Sequence, residues 1–248
     1  MRNRLLKSFA LFALLAIVFA SYADNDNGDV VDLGLPSGVK WATCNVGATN
    51  PWDYGNHYAW GETKTKGEYK WSTYKYCNGG DTLLTKYCDD ASYGNSEFTD
   101  TLTTLETTDD VATAVLGSDY SMPTIADWEE LSKECYWVWT NSYNGTSKAG
   151  YIVYKTKCVA DKGHKVYSGN IPSASYSLSD IHIFLPAAGN CAYLFTAYTG
   201  SFGYYWSASL YENYPNGARL CFFRNDSVDP SKGDKRCYGQ SVRPIRRK

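Results

Sequence analysis

The sequence lacks the residue spacings from which most metal sites are built. It contains no Cys-x-x-Cys pair, and its three histidines, His57, His164 and His182, are scattered along the chain. None of the eight cysteines stands at a zinc-ligand spacing from another cysteine or from a histidine. The sequence therefore predicts no metal site and no cofactor.

A recognisable catalytic arrangement is missing as well. Glu62, Asp127, Glu129 and Glu130 are the candidate acids and bases, but no Ser/His/Asp set and no glycine-rich phosphate loop accompanies them. Two of the four fall on the side of a predicted helix that faces solvent. We therefore expect a non-catalytic protein, and an enzyme of unrecognised type is the less favoured alternative.

Long apolar runs are absent after the N-terminus. Basic residues precede one run at residues 9–20, and small residues follow it at positions 21 and 23. The run is too short for a bilayer, which needs about 20 apolar residues in a helix. This pattern is typical of a cleaved secretory signal over residues 1–23, so we expect a secreted or cell-surface protein that does not span a membrane.

Removal of this segment makes the remaining chain more acidic. Without Arg2, Arg4 and Lys7 the formal net charge moves from -2 to -5, which argues against nucleic acid or an anionic membrane as the partner. Residues 24–29 are rich in Asn and Asp and are predicted to be a disordered lead-in. Residues 30–248 are predicted to form a single domain.

All eight cysteines follow the signal segment, and their even number in an exported chain predicts structural disulfides. The sequence does not determine which cysteines pair. Cys77 and Cys88 stand close together in a loop-rich stretch, where they are free to pair with each other or with distant strands. Free buried thiols are the alternative.

Aromatic residues are what the chain has in excess, with 22 tyrosines and 8 tryptophans against 2 methionines. Tyrosine and tryptophan combine a large apolar face with one hydrogen-bonding group. They therefore suit half-buried strands, sugar-stacking surfaces and protein-binding surfaces alike. A β-rich core is the alternative explanation for any one of them.

Local patterns predict two helices among many short strands. Residues 111–116 are compatible with a helix, which Gly117 can close. Thr124 and Asp127 can form a capping box at the start of a second helix, whose apolar residues recur with the helical period of 3.6. Residues 62–105 are predicted to be loops and short hairpins. Strands are predicted near residues 30–31, 39–46, 136–139, 149–158, 181–185, 204–209, 218–224 and 241–245. This mixture indicates an α+β fold with short antiparallel sheets.

A set of short motifs, in order along nearly the whole chain, resembles the Fibrobacter succinogenes major paralogous domain family. They are Val31-Asp-Leu-Gly-Leu-Pro-Ser-Gly38, Trp41-Ala-Thr-Cys-Asn-Val-Gly47, Asp53-Tyr-Gly55, Tyr58-Ala-Trp-Gly-Glu-Thr63, Met122-Pro-Thr124, Phe184-Leu-Pro-Ala-Ala-Gly189, Tyr205-Trp-Ser207 and Gly239-Gln-Ser-Val-Arg-Pro244. Members of that family are exported or surface proteins of gut and rumen bacteria, mostly without an assigned activity. The resemblance therefore implies export and leaves the ligand open.

A weaker resemblance reaches the formylglycine-generating enzymes, through the helix that begins after Met122-Pro-Thr124 and through the final strand. It implies a C-type lectin-like fold with two helices, a twisted antiparallel sheet that joins the chain ends, and a loop-rich second sheet. The close cysteine pair that binds copper in the oxidases is absent, because Cys221 and Cys237 stand far apart. The tripeptides of calcium-dependent lectins are also missing, and Arg224-Asn-Asp226 is interpreted as a turn rather than a cation site.

The C-terminal segment carries the predicted ligand-binding surface. If Cys221 and Phe223 face the core, alternation along a strand turns Leu220, Phe222 and Arg224 outward; the opposite phase would bury Leu220 and Phe222. Tyrosine, asparagine and charged residues on both sides complete a composition that suits an adaptable contact surface. The predicted contact residues are Tyr211, Asn213, Tyr214, Leu220, Phe222, Arg224, Asp226, Asp229 and Lys232.

This layout resembles the variable region of C-type lectin-like proteins diversified by retroelements, which lies between a Tyr-Trp-Ser motif and the final strand. We therefore expect an exported binding or adhesion domain whose partner is a protein or a glycan. A structural or accessory component of a bacterial surface assembly is the alternative.

Overall fold

The computed structural model describes residues 30–166, 171–212 and 214–247. The predicted signal peptide and the predicted lead-in, residues 1–23 and 24–29, lie outside these ranges. Within them, no helix has both the length and the apolar character needed to cross a membrane.

The described residues form two α-helices and thirteen short strands, so the predicted α+β class with short antiparallel sheets is confirmed. The helices are α1 (Val111–Leu116) and α2 (Ile125–Glu134). The strands are β1 (Val30–Val31), β2 (Lys40–Ala42), β3 (Tyr120–Ser121), β4 (Tyr136–Thr140), β5 (Gly150–Tyr154), β6 (Lys165–Val166), β7 (His182–Pro186), β8 (Asn190–Ala192), β9 (Phe195–Ala197), β10 (Phe202–Leu210), β11 (Gly217–Arg224), β12 (Ser227–Lys235) and β13 (Ile245–Arg246). Residues 62–105 form loops, as predicted, but contain only single turns of 3-10 helix and isolated bridges in place of the predicted short hairpins.

Both predicted helices are present with the expected ends. The side chain of Asp110 accepts hydrogen bonds from the first turn of α1, and Gly117 closes that helix at a φ of 97°. Thr124 and Asp127 form the predicted capping box of α2. Trp128 on the apolar face of α2 is fully buried, so this helix is held by its packing as well as by its cap.

The strands form four sheets. The order β1-β2-β13-β3 brings the first and last strands together, and β6-β4-β5-β7 forms a second sheet in which only the β4–β6 pair is parallel. The strands β8 and β9 form a hairpin, and β10-β11-β12 forms a three-stranded antiparallel sheet. The last predicted strand is shorter than expected, because residues 239–241 make single bridges to three different segments instead of one continuous ladder.

The strand β12 is an element that the sequence does not predict. Its nine residues include Pro230 and Gly233, and five of them are charged or proline, which is atypical of a central strand. The strand lies at the edge of its sheet, where proline and charge are tolerated. A register shift opposite Leu220 and Phe222 accommodates the extra residue as a bulge.

The sheet β10-β11-β12 has a hydrophobic cluster on each of its faces. We call the face towards α2 the inner face, where Tyr205, Cys221 and Phe223 pack with Trp128. We call the opposite face the outer face, where Trp206, Leu220 and Ala218 pack against loop residues that include Trp60 and Tyr87. The sheet is therefore covered on both faces over most of its length.

Several motifs of the family resemblance meet around the buried side chain of Arg243. Its guanidinium donates to the side-chain oxygen of Asn45 at 2.9 Å and to the carbonyl oxygens of Ala42 and Phe184 at 2.9 and 2.8 Å. Tyr205 donates to the carbonyl oxygen of Pro186 at 2.6 Å and also lies 3.2 Å from the amide nitrogen of Asn45. The motifs therefore supply buried polar partners to one another and form the framework of the fold.

The disulfides expected from the even number of cysteines are not formed, since all eight cysteines are free. The thiols lie in separate environments. Cys77 donates to the carbonyl oxygen of Trp71 at 3.0 Å, and Cys88 donates to that of Asp90 at 3.1 Å, so these two cysteines pair neither with each other nor with distant strands.

Candidate binding surface

The end of the outer face nearest the β11–β12 turn is only half covered. Register pairs Tyr204 of β10 with Phe222 of β11, and their ring centroids lie 5.0 Å apart. Phe202 lies edge-on to Phe222 at 5.7 Å. Lys232 of β12 places its ammonium group 4.1 Å from the centre of the Phe222 ring, within the range of a cation–π contact. These four side chains form a continuous aromatic and cationic patch.

Tyr198, which directly follows β9, extends this patch, and the β8–β9 hairpin exposes further apolar side chains. Tyr198 stacks on Phe202 with ring centroids 4.8 Å apart, and at the hairpin tip Tyr193 and Phe195 are 59% and 73% exposed. We call this set the aromatic surface. Its members are Tyr193, Leu194, Phe195, Tyr198, Phe202, Tyr204 and Phe222.

The backbone holds the hairpin tip firmly in place. Register pairs Ala192 with Phe195, so Tyr193 and Leu194 form a two-residue turn in which Tyr193 has a φ of 56°. Glycine or asparagine normally occupies such positions, because a side chain costs about 1–2 kcal/mol in the left-handed region. Two backbone hydrogen bonds of 2.8 Å between Tyr193 and Tyr69 hold this conformation. The exposed rings are thus presented by a constrained turn.

Charged and polar groups surround the rings. Arg224 and Asp226 form an ion pair of 2.7 Å in the β11–β12 turn, which is the turn predicted for this tripeptide. Burial raises the pKa of Tyr204 to about 12, with a further contribution from the charge of Asp234. The Tyr204 hydroxyl therefore stays protonated and is able to donate and accept hydrogen bonds at the edge of the aromatic surface.

The structure brings four of the predicted contact residues together on the outer face. Phe222 and Asp229 are register partners, Arg224 follows on the same side of β11, and Lys232 lies over the Phe222 ring. Asp226 stands beside them in the turn. All except Phe222 are exposed, and Phe222 is half-buried.

The prediction that Leu220 faces outward is wrong. Leu220 is 0% exposed and lies opposite Trp206 in the outer cluster. Cys221 and Phe223 do face a core, as expected, but the other face of β11 is buried as well at Ala218 and Leu220. Loops cover that face as far as Leu220, and only the strand end beyond it is partly open.

Tyr211 and Tyr214 lie away from the aromatic surface. The ring of Tyr211 packs against Gly233, where an added Cβ would stand 2.2 Å from it, and against the Arg219 guanidinium at 4.2 Å. Tyr214 is exposed, with its ring 5.5 Å from that of Tyr211. The remaining predicted contact residue, Asn213, falls outside the described residues.

A cleft of about 290 Å³ opens near Arg219, at the end of the sheet where α2 begins. Arg219 lies on the inner-face side of β11, so this cleft is separate from the aromatic surface. Its lining is mixed in charge and rich in hydroxyl groups: Thr103, Thr104, Ile125, Glu129, Ser209, Leu210, Glu212, Arg219 and Ser231. Among the described residues, no group of three or more His, Cys, Asp or Glu side chains is placed to hold a metal.

Three of the four candidate acids have structural partners. Glu62 pairs with Lys66 at 2.8 Å, and Glu130 accepts from the backbone and hydroxyl of Ser37 at 2.9 and 2.6 Å. Asp127 completes the cap of α2 and also pairs with Arg247 at 2.6 Å. These carboxylates therefore join segments of the fold.

Sequence reasoning missed the largest part of the aromatic surface, namely the hairpin tip and Tyr198. A signal for the tip is present in the chain, because Tyr193-Leu194-Phe195 is a run of three large apolar residues with small residues before it and a threonine after it. Such a run is too short for a core strand. The pairing of Phe202 and Tyr204 with Phe222 depends on the β10–β11 register, which the residues alone do not specify.

Comparison with known proteins gives no match: no family model matches the chain, and no curated protein or solved structure is significantly similar to it.

Proposed function

We propose that this chain is an exported or cell-surface binding and adhesion domain that captures a protein or glycan ligand on the aromatic surface, without catalysis or a cofactor. The observation that carries the proposal is the group of exposed apolar side chains on the β8–β9 hairpin, with Phe195 73% and Leu194 65% exposed. Contiguous exposed apolar surface costs solubility, and it commonly marks a site of interaction.

The composition of the aromatic surface supports this function. Tyrosine and phenylalanine supply large contact areas with few rotatable bonds, so little conformational entropy is lost on binding. Arg224, Asp229 and Lys232 form a charged rim around the rings. Aromatic centres surrounded by polar rims are typical of protein–ligand interfaces.

We further propose that the fold is C-type lectin-like and that the chain is related to the Fibrobacter succinogenes major paralogous domain. Two observations support this proposal: the sheet β1-β2-β13-β3 joins the two chain ends, and the quoted motifs converge on Arg243. Export rests on the sequence of residues 1–23 alone.

The test is binding by a variant that lacks the central rings. We would compare the wild-type protein with a triple variant carrying Tyr193→Ser, Phe195→Ser and Phe222→Ser, on a printed glycan array and on a displayed random-peptide library. The expected result is a wild-type signal that falls at least about tenfold in the variant, since central aromatic residues carry most of the energy of an interface.

A matched control removes exposed apolar side chains elsewhere. Val159 and Ile171 are 81% and 87% exposed and lie in other segments, so Val159→Ser with Ile171→Ser should keep the wild-type signal. Equal loss in this control, or a wild-type signal that survives the triple variant, would show that the aromatic surface is not the binding site.

A further inference from the structure

Cys191 differs from the other cysteines in facing a histidine ring. Its Sγ lies 3.4 Å from Nδ1 of His57 and 3.1 Å from the hydroxyl oxygen of Thr196. We propose that Cys191 and His57 form a thiol–disulfide exchange site whose co-substrate is a disulfide. This inference goes beyond the proposed binding function and does not depend on it.

The other half-buried thiols lack a usable base. Cys44 approaches the carbonyl oxygen of Thr49 at 3.7 Å, and Cys77 donates to the carbonyl oxygen of Trp71. A carbonyl oxygen does not take up a proton at accessible pH, so it cannot serve as a base for either thiol. Cys158 donates to the carboxylate of Asp161 at 3.2 Å. Burial opposes ionisation of Asp161, but its hydrogen bonds outweigh burial and lower its pKa to about 2, so it is a very weak base.

The fully buried thiols are worse nucleophiles. Burial raises the pKa of Cys135 to about 12 and that of Cys237 to about 12, and Cys221 is shifted in the same direction. The thiolate is the reactive form, so these three cysteines are expected to be inert. Cys88 is also buried, and its pKa is raised mainly by burial.

His57 has the protonation state that a general base needs. Burial lowers its pKa below the ordinary value, although the backbone at Gly189 and Ala188 partly offsets this effect. The ring is therefore mostly neutral near neutral pH, and Nδ1 can accept the proton of Cys191. A thiol activated by a neighbouring imidazole is a recurrent arrangement for nucleophilic chemistry.

The site lies at the surface rather than in the core. Cys191 is on β8, and its contact with Thr196 on β9 is exposed to solvent. Backbone hydrogen bonds of 2.7 and 2.8 Å between Cys191 and Gly239 anchor the strand, and the hydroxyl of Tyr69 donates to the carbonyl oxygen of His57. These contacts hold the thiol and the imidazole together while leaving one side open to a co-substrate.

The exchange balances without any further reactant. Nδ1 of His57 takes the proton from the Cys191 thiol, and the thiolate attacks one sulfur of the co-substrate disulfide. A bond forms between Cys191 Sγ and that sulfur as the original sulfur–sulfur bond breaks. The departing thiolate takes the proton back from His57, so Cys191 is oxidised and one half of the co-substrate is reduced.

The test follows thiol release from dithiobis(nitrobenzoate), an aromatic disulfide whose released thiolate is coloured. We expect one of the eight thiols of the native protein to react in a fast phase, and Cys191→Ser to abolish that phase. His57→Gln should slow it at least about tenfold, because general-base assistance is commonly worth more than that. Cys44→Ser is the matched control and should leave the fast phase unchanged.

A second measurement needs no variant and so does not depend on the folding of one. Substoichiometric labelling of the native protein, followed by digestion and mass spectrometry, should place the label on Cys191. Label found mainly on Cys44, Cys77 or Cys158, or a fast phase that persists in Cys191→Ser, would overturn the proposal. A fast phase at Cys191 that is unchanged in a folded His57→Gln variant would show that His57 is not the base that activates Cys191.

Discussion

The inner and outer faces of the sheet β10-β11-β12 are both buried, but different kinds of structure cover them. On the inner face, Phe223 and Tyr205 stack at 5.6 Å beneath the helix α2 and the sheet that contains β5 and β7. On the outer face, loop residues close over Trp206 and Leu220. Regular elements cover Cys221 and Phe223 on the first face, whereas loops leave the Phe222 end of the second one partly open.

On the outer face, polar side chains anchor the covering loops to the sheet. The indole nitrogens of Trp60 and Trp206 donate to the carbonyl oxygens of Ser207 and Tyr58, both at 2.8 Å, and so tie the loops to β10. Farther out, the buried carboxylate of Asp109 binds Lys86 at 2.6 Å and Tyr87 at 2.7 Å. Irregular backbone cannot satisfy its own polar groups, so side chains take that role.

The largest effect on stability is expected at Leu220, whose burial shows that the outer face is closed there. Leu220→Ala should lower the free energy of unfolding by about 2–5 kcal/mol, as expected for a buried leucine that leaves a cavity. Leu194→Ala is the same chemical change at a 65% exposed site and should stay within about 0.5 kcal/mol. Urea denaturation of both variants measures the difference, and equal small effects would mean that the outer face is open at Leu220.

Because of Asp109, the outer face should contribute a dependence of the free energy of unfolding on acid pH that the inner face does not contribute. Burial opposes its ionisation, but hydrogen bonds from Lys86, Tyr76, Tyr87 and Lys75 outweigh burial and lower its pKa to about 2. Because this folded-state pKa lies below the ordinary value of 3.8, Asp109 stabilises the fold above about pH 4. That contribution is lost as the pH falls towards 2.

Asp109→Asn should therefore cost about 1–3 kcal/mol near neutral pH and flatten the fall of stability between about pH 4 and 2. Asp161, whose pKa is also about 2, should account for the acid dependence of stability that remains in this variant. Asp226→Asn, at an exposed ion pair, is the control and should change stability by less than about 0.5 kcal/mol. An unchanged pH profile in Asp109→Asn, measured by urea denaturation across this range, would contradict the assignment.

The two faces also differ in how far the sequence predicts them. Periodicity identifies α2, and strand alternation places Cys221 and Phe223 on the inner face, because regular elements repeat at fixed intervals. The burial of Leu220 could not be predicted in this way, since the loops that cover it have no period. Phe222 was predicted to lie on the outward side of β11, but its ring partners on β10 could not be predicted, because they depend on the strand register.

The smallest effect concerns the turn that presents Tyr193 at the edge of the outer face. Asparagine tolerates the left-handed region better than tyrosine, so Tyr193→Asn should raise the free energy of unfolding by up to about 1 kcal/mol. The same change removes an exposed ring and should weaken ligand capture. Tyr198→Asn is the control: Tyr198 has a φ of 62°, but its ring stacks on Phe202 at 4.8 Å, so lost packing should cancel the gain. Thermal denaturation should therefore show a more stable Tyr193→Asn variant and an unchanged Tyr198→Asn variant. A destabilised Tyr193→Asn variant would mean that the Tyr193 ring supports the fold, as the inner-face rings do. It would contradict the view that the backbone of Tyr193 is held under strain for binding.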